Sequence, residues 1–579
     1  MKAKKRAVST AQVSSKTAPP PARISVWAYI IGAFVVFCVA LQAYAPSWNG
    51  PFLFDDAYLP FYAPNFPPDL RVWVSGVRPL LMLTYWINFR FSELSTPSYH
   101  FGNVLIHTAG AFLAFLVLKK ILEMARVEQP LSRILALFGA AVFLLHPVQT
   151  ESVAYVASRS ESLSGMFFLA AVTAYLYRGT EAISWGRALA TMLLAAAALA
   201  SKEHMLILPA FLLLTDYFWN PGFSWKGAAR NWRFYGPVAV GGLAGAAFVW
   251  NILEHSRSAG FSLQDFTWYQ YFFTECRALF VYLRLFVLPI GQTVDYDFPI
   301  SYTIWQHGAI AGILALAAVT GAAWYFRKRY PLASYGWFMF LLMMAPTSSV
   351  VPIKDPVAER RIYLAILGLL LMVMEALRRV RISRAALAAG LTGVVLLLGI
   401  LTYQRNQIWG DPIALWSDTV EKSPQKSRAH FQLAFAYYQQ GACGKALEEY
   451  ARTAQLQPPA YDLLVDWGQA YDCQGNLDEA LAKFQQAAAI NRTAHVYSQI
   501  GMAYAKQSKW PEALEALKTA ESIDPNYGMT YYYRAGVHMK TGEVAAAVEE
   551  YRKAVMLDPQ NKAAAEALAT AERLLPRVR

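Results

Sequence analysis

The sequence predicts an all-α protein in two parts: a polytopic bundle of membrane helices, then a soluble α-solenoid built from repeated helix pairs. Three observations carry this prediction. The chain is 56% hydrophobic and only 16% charged, too apolar for a soluble domain, in which about a quarter of residues are charged. Long apolar blocks separated by short basic loops fill it to about residue 403. Beyond that point it turns charged and Ala-rich, with a repeat period near 34 residues.

Charge divides along the same line. The first 403 residues hold 33 Lys/Arg against 19 Asp/Glu, and the rest hold 19 against 20. A basic excess is one mark of nucleic-acid binding. Here it sits in the membrane part, where cytoplasmic loops are basic by rule, and no nucleic-acid partner is expected. Cysteines 38, 276, 443 and 473 form no C-x-x-C pair and no zinc spacing.

Residues 1–25 are basic and rich in Ser, Ala and Pro, and are expected to be a disordered tail. The apolar run 26–46 lacks a good cleavage pattern and reads as an uncleaved first span, with the N-terminus in the cytoplasm. Ten further runs follow, near 99–118, 134–147, 162–177, 186–200, 204–219, 234–252, 304–325, 334–351, 361–377 and 385–403. Several are shorter than the roughly 20 residues of a straight span. Counted at face value they make eleven spans. With that topology, 22 of the 33 basic residues fall on the cytoplasmic side, which agrees with the positive-inside rule. The repeats then lie outside the cytoplasm. Residues 268–290 carry Glu275, Arg277 and Arg284 among aromatic and aliphatic residues, and read as an amphipathic helix in the outer interface. Residues 78–91 are similar.

The exported face has its own charges. Asp55-Asp56 follows the first span in a loop dense in Pro and aromatics. A carboxylate pair that close to a bilayer is costly and points to function, although a loop turn or helix cap is the plainer reading. Eleven basic residues share this face, among them Arg159, Lys202, Arg360 and Arg361, with Glu151, Glu161 and Glu359 nearby in sequence. Structural ion pairs are one account of them. A pocket for an anionic lipid headgroup is the other.

The soluble part is regular. Ala446, Ala480, Ala513 and Ala547 recur at 34, 33 and 34 residues, each followed four residues later by Tyr450, Phe484, Leu517 or Tyr551. Trp467-Gly468 and Ile500-Gly501 fill an apolar-small position, and Pro458, Pro525 and Pro559 close three units. This is the tetratricopeptide signature. The expected divisions are a membrane domain over 26–403, a linker and half-repeat over 404–426, four repeats over 427–561, and a capping helix and tail over 562–579. Cys443 and Cys473 fall in the inter-helix turns of neighbouring units. In an oxidising compartment they can form a disulfide, and free thiols are the alternative.

Phe54-Asp55-Asp56, the block running from His146-Pro147 through Glu151 to Arg159-Ser160-Glu161, Glu359-Arg360-Arg361, and the trailing repeats together resemble one family. These are the transmembrane-and-tetratricopeptide-repeat O-mannosyltransferases and their bacterial relatives, with the C-type glycosyltransferase (GT-C) fold. The resemblance implies a polyprenyl-phosphate sugar donor, most simply mannose. It also implies a Ser/Thr acceptor on an exported polypeptide held by the repeats. No cofactor is then needed beyond the lipid-linked co-substrate and the membrane lipids; no metal site is expected, and a divalent ion on the Asp pair stays open. The expected setting is a bacterial inner membrane with a periplasmic site, or otherwise the endoplasmic reticulum with a luminal one.

A hydroxyl attacking the anomeric carbon must lose its proton, which Asp55 is expected to take as general base, with Asp56 orienting acceptor or neighbouring side chains. Arg159, Arg360 and Arg361, then Lys202, are expected at the leaving phosphate. His146, Glu161 and Glu359 are expected to shape the pocket. A non-enzymatic scaffold that recruits exported proteins is the rival class. Transfer to a glycolipid, or of a whole oligosaccharide, is another.

Overall fold

Side chains that cannot be left in water, and backbone that cannot be left unpaired in lipid, force the first part of the chain into helices. The computed structural model describes residues 26–60, 69–256 and 259–575. The expected tail over 1–25 lies outside the described residues, as do Arg257 and the last four positions. Among the described residues no strand forms, and a single isolated bridge joins Ala259 to Ile353.

Four helices are long and apolar enough to cross a membrane alone: Thr96–Met124, Trp232–His255, Gln306–Tyr325 and Arg384–Trp409. A fifth candidate is bent. Helix Leu131–Leu145 stops at His146, whose extended backbone (φ −80°, ψ 129°) is what a residue before proline prefers. The chain turns by 50° and resumes over Pro147–Ala154. Other runs expected as spans form shorter apolar helices, including Trp185–Leu199, Pro331–Met344 and Ile366–Leu377. Close backbone contact helps to hold this bundle. A Cβ on Gly336 would lie 2.3 Å from the Gly368 carbonyl oxygen, and one on Gly368 would lie 2.4 Å from that of Gly336. Only two glycines let these helices meet so closely. The amphipathic segment is helix Trp268–Val287, and residues 78–91 lie in helix Pro79–Ser92.

Helix Arg384–Trp409 runs out of the bundle into Pro412–Lys422, and four antiparallel pairs follow. They are Ser427–Gln439 with Cys443–Leu456, Tyr461–Cys473 with Leu477–Ile490, Ala494–Lys506 with Trp510–Ile523, and Gly528–Thr541 with Val544–Leu557. Helix Lys562–Leu574 closes the array. The small positions seen in the sequence are where partner helices touch. A Cβ on Gly468 would meet the Phe484 ring at 2.5 Å, and one on Gly501 would meet Leu517 at 2.6 Å. Cys443 and Cys473 are joined, with their Cα atoms 6.1 Å apart.

The array does not hang free. Arg428 and Lys426 pair with Asp295 and Asp355, on loops between helices of the first part of the chain. Lys422 donates to the Gln292 carbonyl at 2.9 Å.

Candidate active site

The two carboxylates of the aspartate pair part company. They lie on a one-turn helix, Phe54–Tyr58, which sends adjacent side chains in different directions. Asp55 is exposed, while Asp56 is 1% exposed. Asp56 accepts from the Leu53 N–H at 2.9 Å and, with its other oxygen, from the Ala157 N–H at 2.6 Å. It therefore ties the loop to the segment that follows the bent span. Burial pushes its carboxyl up to about 8, against the pull of those two N–H donors and of Arg159. Asp55 anchors through its backbone instead, its N–H donating to the Tyr155 hydroxyl at 2.7 Å, which leaves its carboxylate facing outward.

Tyr155 and Phe54 are two walls of a narrow cleft, completed by Leu53, Glu151, Val294, Arg360, Trp409, Leu415 and Trp416. Arg360 is the cation here. Its backbone N–H donates to Glu151 at 3.0 Å, and its guanidinium pairs with the same carboxylate. Its side chain keeps 27% of its surface, and among the described residues the guanidinium hydrogen-bonds only Glu151.

Glu161 and Arg361 line a second, small cavity with His204, Met343 and Tyr363 among others. Lys202 pairs with Glu161, and burial lowers the lysine's pKa against that partner. His204 Nε2 lies 3.5 Å from the same carboxylate. Arg361 is engaged by the carbonyls of Asp355 and Pro356 and by Glu275.

Three expected residues are occupied with architecture. The Arg159 guanidinium, 1% exposed, donates to Asn103, Thr84, Asn88 and the Tyr99 carbonyl, and lies 4.6 Å over the Tyr85 ring. It is not brought to Arg360's cleft. His146 takes the Val148 N–H at 3.2 Å, with its other ring nitrogen 3.0 Å from the Phe286 carbonyl, clasping the bend to helix Trp268–Val287. Glu359 accepts from Gln292, the Thr293 N–H and the Tyr296 hydroxyl, and burial raises it to about 7. It shapes the loop that the repeats dock on.

Sequence reasoning passed over Trp409, Trp416 and Tyr155 as site residues. Tyr155 sat inside the His146–Glu161 block, where a lone tyrosine carries no distinguishing spacing. Trp416 belongs to the repeat pattern, which explains it by packing alone.

The tetratricopeptide repeat family matches residues 530–561, the fourth helix pair. Protein O-mannosyl-transferase TMTC3 of Mus musculus is 25% identical over 541 residues, covering 84% of this chain and 57% of that protein. Protein O-mannosyl-transferase F38B6.6 of Caenorhabditis elegans is 23% identical over 453 residues, covering 73% of this chain and 62% of that protein. A thermophilic tetratricopeptide-repeat protein of Thermus thermophilus is 22% identical over 31% of this chain and 95% of its own, with a TM-score of 0.26. The chain spans about 57–62% of the length of these two O-mannosyl-transferases.

Proposed function

As a relative of the transmembrane-and-tetratricopeptide-repeat O-mannosyltransferases, this chain, we propose, is a membrane glycosyltransferase. It moves a sugar, most simply mannose, from a polyprenyl-phosphate carrier to Ser/Thr hydroxyls of exported polypeptides. The observation that carries this reading is the exposed Asp55, next in the chain to Phe54, which lines one cleft together with the partly open Arg360.

The acceptor oxygen attacks the anomeric carbon, and Asp55 takes its proton as that bond forms. The bond from the anomeric carbon to the phosphate oxygen breaks, and the phosphate departs with the electron pair, already ionised and needing no acid. One displacement inverts the centre. Arg360 meets the charge that builds on the departing oxygen, and Arg361 and Lys202 hold the carrier phosphate deeper in the exported face. A preorganised donor of this kind is worth roughly 10²–10³ in rate. Asp56 acts through the backbone it binds, keeping Asp55 at the cleft.

The test is transfer by the purified full chain from polyprenyl-phosphate mannose to an exported acceptor protein, wild type beside Asp55→Asn. Loss of one hexose per modified Ser/Thr in the variant, read by mass spectrometry, is the expected result. Equal transfer by the two proteins overturns Asp55 as the base, and no transfer by either leaves the scaffold reading, which gives Asp55 no role.

A further inference from the structure

Phe54 immediately precedes the exposed carboxylate, and its backbone sits at φ +52°. A bulky residue enters this left-handed region only at an energetic cost, and stays only where its surroundings hold it. Much of the hold comes from the repeat end of the chain. Trp416, on helix Pro412–Lys422, meets the Phe54 ring edge-on with centroids 5.9 Å apart. Arg428, on the first repeat helix, places its guanidinium carbon 4.9 Å from the centre of the same ring. Tyr155 stands on a third side at 6.4 Å.

Arg428 is itself fixed on loops of the first part of the chain. Its Nε and Nη2 donate to the two oxygens of Asp295 at 2.8 and 2.7 Å, and Nη2 also reaches Asp355 at 2.9 Å. Such a forked pair is directional as well as strong. A docking salt bridge alone would need no aromatic partner. Here the guanidinium also lies over the ring of the strained residue that aims Asp55, a cation–π contact.

We propose that Arg428 and Trp416 are positioning residues for Asp55, so that the start of the repeat array is part of the catalytic apparatus as well as a holder of acceptor. The proposal rests on the reading of Asp55 as the base. It follows that an acceptor too short to engage the repeats still depends on Arg428.

The experiment uses the full chain in lipid nanodiscs and compares wild type, Arg428→Lys, Arg428→Ala and Trp416→Ala. Two quantities are read. One is hydrogen exchange at the Asp55 and Asp56 amides, which donate to the Tyr155 hydroxyl and the Leu53 carbonyl. The other is kcat and KM for transfer from polyprenyl-phosphate mannose to a short Ser/Thr peptide. Arg428→Ala and Trp416→Ala should speed exchange about tenfold and lower kcat by a similar factor, with both KM values within about twofold. Arg428→Lys keeps the charge but not the planar guanidinium, and should fall between. This mild variant carries the test if either alanine variant fails to fold. Exchange and kcat at wild-type levels in correctly folded Arg428→Lys and Arg428→Ala overturn the proposal. An inactive wild type overturns the function and an active Asp55→Asn overturns Asp55 as the base; in both cases the exchange measurement still decides whether the repeats hold this loop.

Discussion

Two neighbouring aspartates, alike in sequence, have been given opposite environments, and their substitutions should fail in different ways. Asp55→Asn should abolish transfer and leave thermal stability unchanged, because its side chain is exposed. Asp56→Asn places an amide nitrogen against a backbone N–H that now has an acceptor. Leaving such a group unsatisfied costs about 1–3 kcal/mol, and a lowered melting temperature with partial activity is the expected outcome. Asp56 also sets a pH limit. Its folded pKa of about 8 lies above the ordinary value of about 3.9, so its stabilising effect is present at low pH and is lost as the pH rises through 8. The rate of transfer should decline there, and a pH–rate profile of Asp56→Asn should lack that alkaline limb. Arg360→Ala should slow transfer about a hundredfold. Arg159→Lys should lower the melting temperature and leave the donor KM alone, since the guanidinium spends its hydrogen bonds on Asn103, Thr84, Asn88 and Tyr99.

Between elements, contact rather than chemistry sets the tolerances. Gly368→Ala puts a methyl group 2.4 Å from the Gly336 carbonyl oxygen and 2.8 Å from the Phe340 nitrogen. The helices must part, and a loss of about 1–3 kcal/mol is expected, measured as a drop in the thermal midpoint in detergent. The junction between bundle and array has its own pH behaviour. Burial would raise Asp355, but Arg428 and Lys426 outweigh it and hold the carboxyl below its usual range. A carboxyl lowered in this way contributes stability above its unfolded value of about 3.9 and loses it as the pH falls through the folded one. Limited proteolysis of residues 410–426 should stay flat down to about pH 4 and increase only below it. The Cys443–Cys473 bond joins the turns of adjacent units. Reducing it should lower the stability of the repeats by about 2–4 kcal/mol.

At the scale of the molecule, composition and period were enough for the all-α architecture, because lipid and repeat packing each leave a pattern that spans many residues. Trp467-Gly468 and Ile500-Gly501 announced close helix pairing, and the glycines do meet Phe484 and Leu517. Apolar length was a weaker guide. Helices such as Trp185–Leu199 and Pro331–Met344 fall short of the length that would mark a span by itself, and the chain breaks into short turns such as Pro147–Gln149 and Glu203–Ile207. The site was legible in part. Asp55, Arg360 and Arg361 stand out in the sequence because charge at a membrane face is rare, and the fold sets Arg360 and Arg361 at cavities. The inward role of Arg159 is not legible there, since only the folded chain shows which charges have been consumed. Arg428 stood out least, being 133 residues from the Asp295 that it grips.

The fixed seat of the array has one more consequence. A solenoid held at its first unit by Arg428, Lys426 and Lys422 is a ruler with its zero mark at the cleft. On the proposed function, an acceptor lying extended along it advances at most about 3.3–3.6 Å per residue. The interval between the segment gripped by a given unit and the hydroxyl presented to Asp55 is then a fixed number of residues. Adding or deleting a whole repeat should move the modified position along the acceptor in register, leaving the chemistry itself unchanged.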